Sequence, residues 1–332
     1  MTDAASVLVY EFITAGGLTG SPDADDASLL AQGAAMRNAM LEDLAAIPGL
    51  AVACATSPAD ELPASAGNVV RVRPITGEAP VDFLRRISPQ FDRVWVVAPE
   101  SGGTLGRLQA AVGPQRWLGA DADAIRVASS KRATRRRLAA FGVAVPCDSD
   151  RPLAPHTAWV VKPDDGIGAQ CVRLHDELTE AWRDFAGRLG RGQAATLEAW
   201  VEGTAMSLSV LSGANGVEVL SLNRQAIEVD DRGHVAYRGV EHQSACAGSD
   251  LHDLAQQVQL AIPGLSGYWG IDLVLREQRR PVVVEVNPRL TCAYAGLSAR
   301  LGRNIAAELL AGPRSEPTAA AERHPESGIV GG

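Results

Sequence analysis

The stretch from Pro281 to Leu290, PVVVEVNPRL, opens like a buried strand with three valines in succession, then places an acid at Glu285 and an amide at Asn287. Residues two apart on a strand point to the same face, so both polar groups share one side of an element otherwise built for burial. Just upstream runs GIDLVLREQRR. With EQRR as the four-residue loop of an antiparallel hairpin, Arg276 pairs with Pro281 and Asp272 falls directly opposite Glu285. Opposite residues share a face of the sheet, so Asp272, Glu285 and Asn287 converge on one patch. Two carboxylates side by side repel and raise each other's pKa unless a cation sits between them. Oxygen donors without His or Cys suit Mg2+, with Mn2+ as the other ion that fits, and Mg2+ commonly completes its octahedron with substrate phosphates and water. A triphosphate site is therefore the first expectation, and a surface hairpin whose acids face water is the plainer alternative.

A second group lies in VVKPDDGIGAQ. Lys162 ends an apolar strand and precedes a loop with Gly166 and Gly168, offering a point charge and backbone N–H groups that can approach phosphate oxygens. A glycine-rich hairpin tip with a solvent-facing lysine is the alternative. Lys131 stands among five basic residues between 131 and 137, a run that usually makes a solvated helix face. In LEAWVEG, a strand carrying Glu198 ends at a bend whose backbone can read an adenine edge, while Trp200 reads as core packing ahead of base stacking.

Elements must hold these groups. SVLVYEF is a buried strand running into the turn-rich ITAGGLTG, followed by the helical LLAQGAAMRNAMLEDLAAI and further strands at LAVACA and RVWVVAP. Strands alternating with helices predict an open parallel α/β sheet over residues 1 to 125, with its binding edge at the strand carboxyl ends. The GGL after the first strand lacks the Gly-x-Gly-x-x-Gly spacing of a dinucleotide site, which leaves a tight turn or a substrate contact for Gly16 and Gly17. SSKRATRRRLAAFGVAVP is a helix starting at Ser129 or Ser130 and ending near Gly142. AWVVKP and CVRL form a hairpin around the glycine loop. ATLEAWVEGTAMSLSVL is strand, bend and strand; VEVLSLNRQAIEV, the helical DLHDLAQQVQLAI, WGIDLVL, PVVVEVNP and a helical GLSARLGRNIAAELL follow. From Pro313 the composition is small and polar, which predicts a disordered tail.

The 332 residues are 46% hydrophobic and 21% charged, enough for one large or two to three small domains with real cores. A net charge of −8 argues against nucleic acid or an anionic membrane surface, since both attract a positive field; a small-molecule partner is the default. Five scattered cysteines with no Cys-x-x-Cys pair suggest reduced thiols rather than disulfides or zinc. MTDAASVLVYEF has no basic leader and no stretch approaches the ~20 apolar residues of a membrane span, so a soluble cytoplasmic protein is expected.

The order of the pieces, a lysine, a lysine with a glycine loop, a Glu-containing hinge, then Asp followed by Glu-x-Asn, resembles the ATP-grasp superfamily over nearly the whole chain. The resemblance implies a mixed α/β and α+β architecture: an N-terminal α/β domain (1–125), a small lid (126–197), a C-terminal antiparallel-sheet domain (198–312) and the tail (313–332), with ATP between the lid and the C-terminal domain. It implies that Lys131 and Lys162 contact the phosphates or the adenine edge. Asp165, Gly166, Ile167, Gly168 and Ala169 would cover the triphosphate, and Glu198, Ala199, Trp200 and Val201 would line the adenine hinge. Asp272, Glu285 and Asn287 would hold Mg2+, and Arg289 looks like the arginine that stabilises a reacting acyl phosphate. Where many relatives place a ribose-binding acid this chain has Ala205, with Glu202 the nearest substitute.

More narrowly, VLVYEFITAGGL, LNRQ and EVNPRLTCAYAGL look like the tyramine–glutamate ligases of methanofuran-type cofactor biosynthesis. That likeness implies an amide bond between the γ-carboxylate of glutamate and the amine of tyramine or tyrosine, and makes Glu11, Gly16, Gly17, Arg224 and Thr291 candidates for the substrate pocket. Three alternatives stay open: another ATP-grasp ligase of the D-alanine or peptide-tail kind, a phosphotransferase on the same fold, and a non-enzymatic ATP-binding protein. A homodimer is the default assembly.

Overall fold

The computed structural model describes residues 5–17, 25–58, 60–147, 158–166, 169–213, 216–244, 249–277 and 279–311. The apolar run at the start forms β1 (Ser6–Glu11), whose residues from Val7 onward are all buried, as a strand covered on both faces requires. After α1 (Asp25–Ala45) come β2 (Ala51–Ala55), β3 (Val70–Val72), α2 (Pro80–Ile87), β4 (Arg93–Val97), α3 (Thr104–Val112) and β5 (Trp117–Leu118). These five strands make a parallel sheet in the order β3-β2-β1-β4-β5. The order reverses between β1 and β4, and in open α/β sheets that switch point, outside the strand carboxyl ends, is where ligands bind.

Next come α4 (Ala122–Ala128) and α5 (Lys131–Ala140), then β6 (Trp159–Pro163), β7 (Arg173–His175), α6 (Leu178–Gly190) and β8 (Ala195–Ala199). The three strands form a small antiparallel sheet, β7-β6-β8, and its core is Trp159, Val161, Ala181, Leu197 and Ala199. The last part holds β9 (Thr204–Gly213), β10 (Gly216–Val229), β11 (Val235–Ser244), α7 (Ser249–Ala261), β12 (Gly267–Leu275), β13 (Val282–Asn287), α8 (Leu297–Leu301) and α9 (Ile305–Ala311). Its strands are antiparallel in the order β11-β10-β9-β12-β13.

Two apolar cores run through both large sheets. One joins Leu8, Phe83 and Leu105 to Val258 and Trp269; the other joins Val9, Met40 and Trp95 to Tyr268, Leu290 and Ile305. The expected domain limits at 125 and 197 fall inside α4 and inside β8, the third strand of the small sheet. The single helix expected over 296–310 is broken: Gly302 takes φ 65 and separates α8 from α9. The tail expected from 313 lies outside the described residues. Among the described residues no helix is long and apolar enough to cross a membrane.

The β12–β13 hairpin reaches the expected pairing by a different route. Near the loop, Val274 pairs with Val282 and Leu273 with Val283, one residue out of the expected register; a bulge at Val284 then restores it, and Asp272 stands opposite Glu285. A bulge that re-aims a side chain beside a site is a common use of the extra residue.

Candidate functional site

A cavity of about 530 Å³ opens between the small sheet and the antiparallel sheet, closed at one end by the carboxyl edge of the parallel sheet. Its floor holds Asp272, Glu285 and Asn287. Asn287 pairs across the ladder with Gly270, where a Cβ would stand 3.0 Å from Thr291 Cγ2, so glycine there makes room for Thr291 over the floor. Asp272 accepts hydrogen bonds from Gln225 Nε2 at 2.9 Å and Asn287 Nδ2 at 3.2 Å. Burial, and then the charge of Glu285, push the Asp272 carboxyl up, against the pull of Asn287, Arg289 and Gln225. The patch thus concentrates more negative charge than its own donors relieve. Its oxygens, with no His or Cys beside them, fit a hard divalent cation. No cluster of three or more His, Cys, Asp or Glu side chains among the described residues forms a complete cage, so Mg2+ here would take its remaining ligands from substrate oxygens and water.

The cations come from α5 and β6. Ser130 caps α5, its side chain accepting from Ala133 N at 3.1 Å, while Asp164 accepts from Ser130 Oγ at 2.7 Å and Arg132 N at 2.9 Å. That double clamp aims Lys131 at the floor, where Nζ donates to Gly166 O at 2.6 Å and lies 3.0 Å from Glu285 Oε1. Burial opposes the charge on Lys131, but Glu285, with Glu100 and Glu198, outweighs it and raises the pKa. Lys162 pairs with Glu198, which also lies 3.3 Å from Arg135 Nη1. The basic run is divided: Arg136 and Arg137 keep the solvated face expected of it, whereas Lys131 is buried, Arg132 donates to Ala195 O at 2.9 Å and Arg135 reaches Glu198.

At the far end, the buried Glu11 accepts from Thr14 N at 2.8 Å and Ile13 N at 3.2 Å. Burial raises its pKa, opposed by those two hydrogen bonds and by Arg37. Gly33 of α1 lets the helix backbone approach, since a Cβ there would stand 2.6 Å from Glu11 Oε2. Ile13, Leu29, Gln32 and Met36 line the same cavity as this acid.

The structure brings Lys131, Lys162, Gly166, Ala169, Asp272, Glu285, Asn287 and Arg289 to one space. Ala199, Trp200 and Val201 border it too, with Trp200 N donating to Ala158 O at 2.8 Å and Ala199 N to Cys147 O at 3.0 Å. Trp200 is half-buried on the cavity wall rather than in a core, contrary to the packing role read from sequence. Glu11, Glu198, Arg224 and Thr291 line the wall, and Thr291 Oγ1 is 3.2 Å from Tyr268 OH.

Four expected residues do not border the cavity. Glu202 is exposed outside it, while Ala205 lines it. Gly16 and Gly17 build a tight turn, donating to Ile13 O at 3.0 Å and Phe12 O at 2.8 Å. Asp165 turns to the parallel-sheet domain, its carboxylate accepting from Gly102 N at 2.8 Å. Ile167 and Gly168 lie outside the described residues. Two polar groups were missed. Gln225, which holds Asp272, is the residue after Arg224; strand alternation alone would put the two on opposite faces, yet both line the cavity from β10, a strand with register shifts on either side of them. Glu100 lies just past β4 at the switch point, near the level of Glu11 at the end of β1, and faces Arg289.

The sequence matches the ATP-grasp domain over residues 128–293, half of the chain, and the pre ATP-grasp 3 domain over residues 50–125. An ATP-grasp superfamily protein from Archaeoglobus fulgidus, 22% identical, superposes with a TM-score of 0.67 over 97% of this chain and 96% of its own. An L-amino acid ligase from Bacillus licheniformis, 17% identical, gives a TM-score of 0.60 over 94% of this chain and 74% of its own. For a D-alanine–D-alanine ligase from Bacillus anthracis complexed with ATP the values are 14%, 0.57, 92% and 96%. At such identities the likeness establishes the ATP-grasp fold. No curated protein matches the sequence.

Proposed function

We propose that this chain, which belongs to the ATP-grasp family, is an ATP-dependent ligase that joins a carboxylate to an amine. The observation that carries this reading is the facing of two buried lysines, a carboxylate pair with an amide, and Arg289 across one cavity that Gly166 also lines. An L-amino acid ligase and a D-alanine–D-alanine ligase among the structures of the same fold support the reaction class.

A carboxylate is a poor electrophile. In the proposed reaction its oxygen attacks the γ-phosphorus of ATP, the bond to the β-phosphate oxygen breaks, and ADP leaves. The amine then attacks the acyl carbon, phosphate leaves with the electrons of the C–O bond, and the amine proton passes to solvent. Lys162 and Lys131 exchange their carboxylate partners for phosphate oxygens, and the Gly166 backbone is close enough to follow them. Arg289 offers N–H donors to oxygen charge that develops during acyl transfer, the kind of term that dominates such reactions. Bound at Asp272, Glu285 and Asn287, Mg2+ would supply charge neutralisation on the transferring phosphoryl group. Gly166 and Ala169, on the cavity wall, help keep water from the activated acyl group when the lid is closed.

The far end of the cavity speaks to the amine. A buried acid, Glu11, in a cavity also lined by Ile13, Leu29 and Met36 suits an ammonium carried on an apolar body. Together with the sequence resemblance, this favours tyramine or tyrosine as acceptor and the γ-carboxylate of glutamate as donor, in methanofuran-type cofactor biosynthesis. The test is phosphate release from MgATP with L-glutamate fixed and tyramine, tyrosine and D-alanine varied, with products weighed by mass spectrometry. Tyramine- or tyrosine-dependent release and a γ-glutamyl amide mass are expected. Release that depends on D-alanine would move the enzyme to the dipeptide ligases, and MgATP binding without release across a wide amine and acid panel would overturn the ligase reading.

A further inference from the structure

Glu100 sits in the turn after β4, 4% exposed, and does not border the cavity although Pro99 does. Its carboxylate meets Arg289 from another domain: Nη2 donates to Oε2 at 3.0 Å, and Nε lies 2.9 Å from Oε1 as an ion pair with no hydrogen bond between them. Nη1 donates to Leu290 O at 3.1 Å. A guanidinium has five N–H groups in a rigid fork. With one hydrogen of each Nη turned toward the protein, Nη1 and Nη2 each keep a second N–H, and Arg289 lines the cavity. Burial alone would weaken the charge on Arg289, and Glu100 more than restores it.

The turn that carries Glu100 is itself fixed. Gly102 and Gly103 take φ 59 and 70, a left-handed region that favours glycine. Gly103 N donates to Glu100 O at 2.9 Å, Leu105 N to Pro99 O at 3.0 Å, and Arg107 holds the Gly102 carbonyl. The same turn meets the root of the glycine loop, with Ser101 Oγ donating to Asp165 O at 3.0 Å.

We propose that Glu100 is a positioning residue for Arg289. It touches no substrate; its bond to Nη2, together with the bond from Nη1 to Leu290 O, sets the plane of the guanidinium, so that the free N–H groups are aimed before any substrate arrives. A one-point contact would leave the fork free to rotate about it. The proposal rests on the ligase reading for the step that Arg289 serves, and its test separates the two.

Glu100→Gln keeps the shape and removes the charge. The expected result, with glutamate and tyramine as probes, is a fall in kcat of about 10- to 100-fold, the scale of a misaimed catalytic group, with KM for ATP changed by less than about threefold. Glu100→Asp, which keeps the charge on a shorter stem, should recover part of the loss and serves if the glutamine variant folds poorly. In an Arg289→Ala background, Glu100→Gln should cost nothing further, because the group it aims is gone. A glutamine variant with kcat within about twofold of wild type, or losses that add independently, would overturn the proposal. A wild-type protein with no turnover sinks the ligase reading instead. The Arg289 Nε–H resonance, assigned by its loss in Arg289→Lys, then decides without any substrate: broadening in Glu100→Gln supports the positioning role, and an unchanged signal overturns it.

Discussion

The two large sheets and the small one are attached to the molecule by different forces. The parallel and antiparallel sheets share two continuous apolar cores, so neither can leave the other without exposing residues such as Trp95, Tyr268 and Trp269 to water. The small sheet has its own core of five buried residues. Its ties to the rest are mostly polar: Asp164 on the start of α5, Arg135 on Glu198, and the tip of the β10–β11 hairpin, where Leu174 N donates to Gly233 O at 2.7 Å and Val235 N to Val172 O at 3.1 Å. Apolar burial is lost in proportion to area, whereas a polar contact can be exchanged for water or ligand at a net cost of about 0.5–1.5 kcal/mol each. Under the proposed function the small sheet is the region that opens to a nucleotide, and it is the one held by replaceable bonds, as expected of elements at the low-stability end of a protein.

The largest effect should come from the shared core. Trp269 is fully buried and its Nε1 donates to Ser212 Oγ at 2.8 Å. Trp269→Ala should cost about 3–5 kcal/mol, and calorimetry should show both large sheets unfolding together at the lower temperature. If the parallel sheet kept its own transition, the shared-core account would fail. In the lid, Val161 is equally buried, yet Val161→Ala should remove only about 1.5 kcal/mol, at about 0.8 per buried methylene. Its consequence should be local: amide exchange in β6 and β8 should quicken by about tenfold, with the melting of the large sheets unchanged. A matching drop in their melting temperature would show that the lid is no separate unit.

A smaller effect is expected where lid and parallel-sheet domain touch. Asp165→Ala deletes the bond from Gly102 N, worth about 1 kcal/mol. It should raise KM for MgATP by about fivefold, leaving the melting temperature in place. No change in KM would mean that the Gly102 contact does not set the loop over the nucleotide.

What the sequence disclosed follows the same division. The floor was legible because strand period and hairpin pairing are local rules: Asp272, Glu285 and Asn287 could be placed by counting, and the bulge at Val284 only shifted the route. Lys162 and its glycine loop were legible from strand-end chemistry. Arg135 and Glu198, 63 positions apart, were not seen as partners, because nothing local in RATRRR says which arginines turn inward. Glu100 was missed for the same reason at 189 positions from Arg289. Gly16 and Gly17 show the converse: the pair left a tight turn or a substrate contact open, and the backbone builds the turn.

The smallest expected effect is a response to acid, and it has opposite signs in the two regions. In the lid, burial pushes the Asp184 carboxyl up, but hydrogen bonds from Arg188 and His175 outweigh it and hold its pKa below the ordinary 3.8. The stability this contributes is present above pH 3.8 and is lost as pH falls through the lower folded value. In the body, burial raises the pKa of Asp43 above 3.8, despite hydrogen bonds from Ser298 and Tyr294. Its contribution is therefore present below pH 3.8 and lost as pH rises through the raised value. Acid thus loosens the lid while this carboxyl favours the body. Pepsin at about pH 3, just under the unfolded carboxylate range, should cut first within the residues of β6 to β8. Asp184→Asn should remove that pH dependence, because the amide cannot titrate. First cuts in β1 or β12 would show instead that the shared cores, not the lid's polar ties, are what acid weakens.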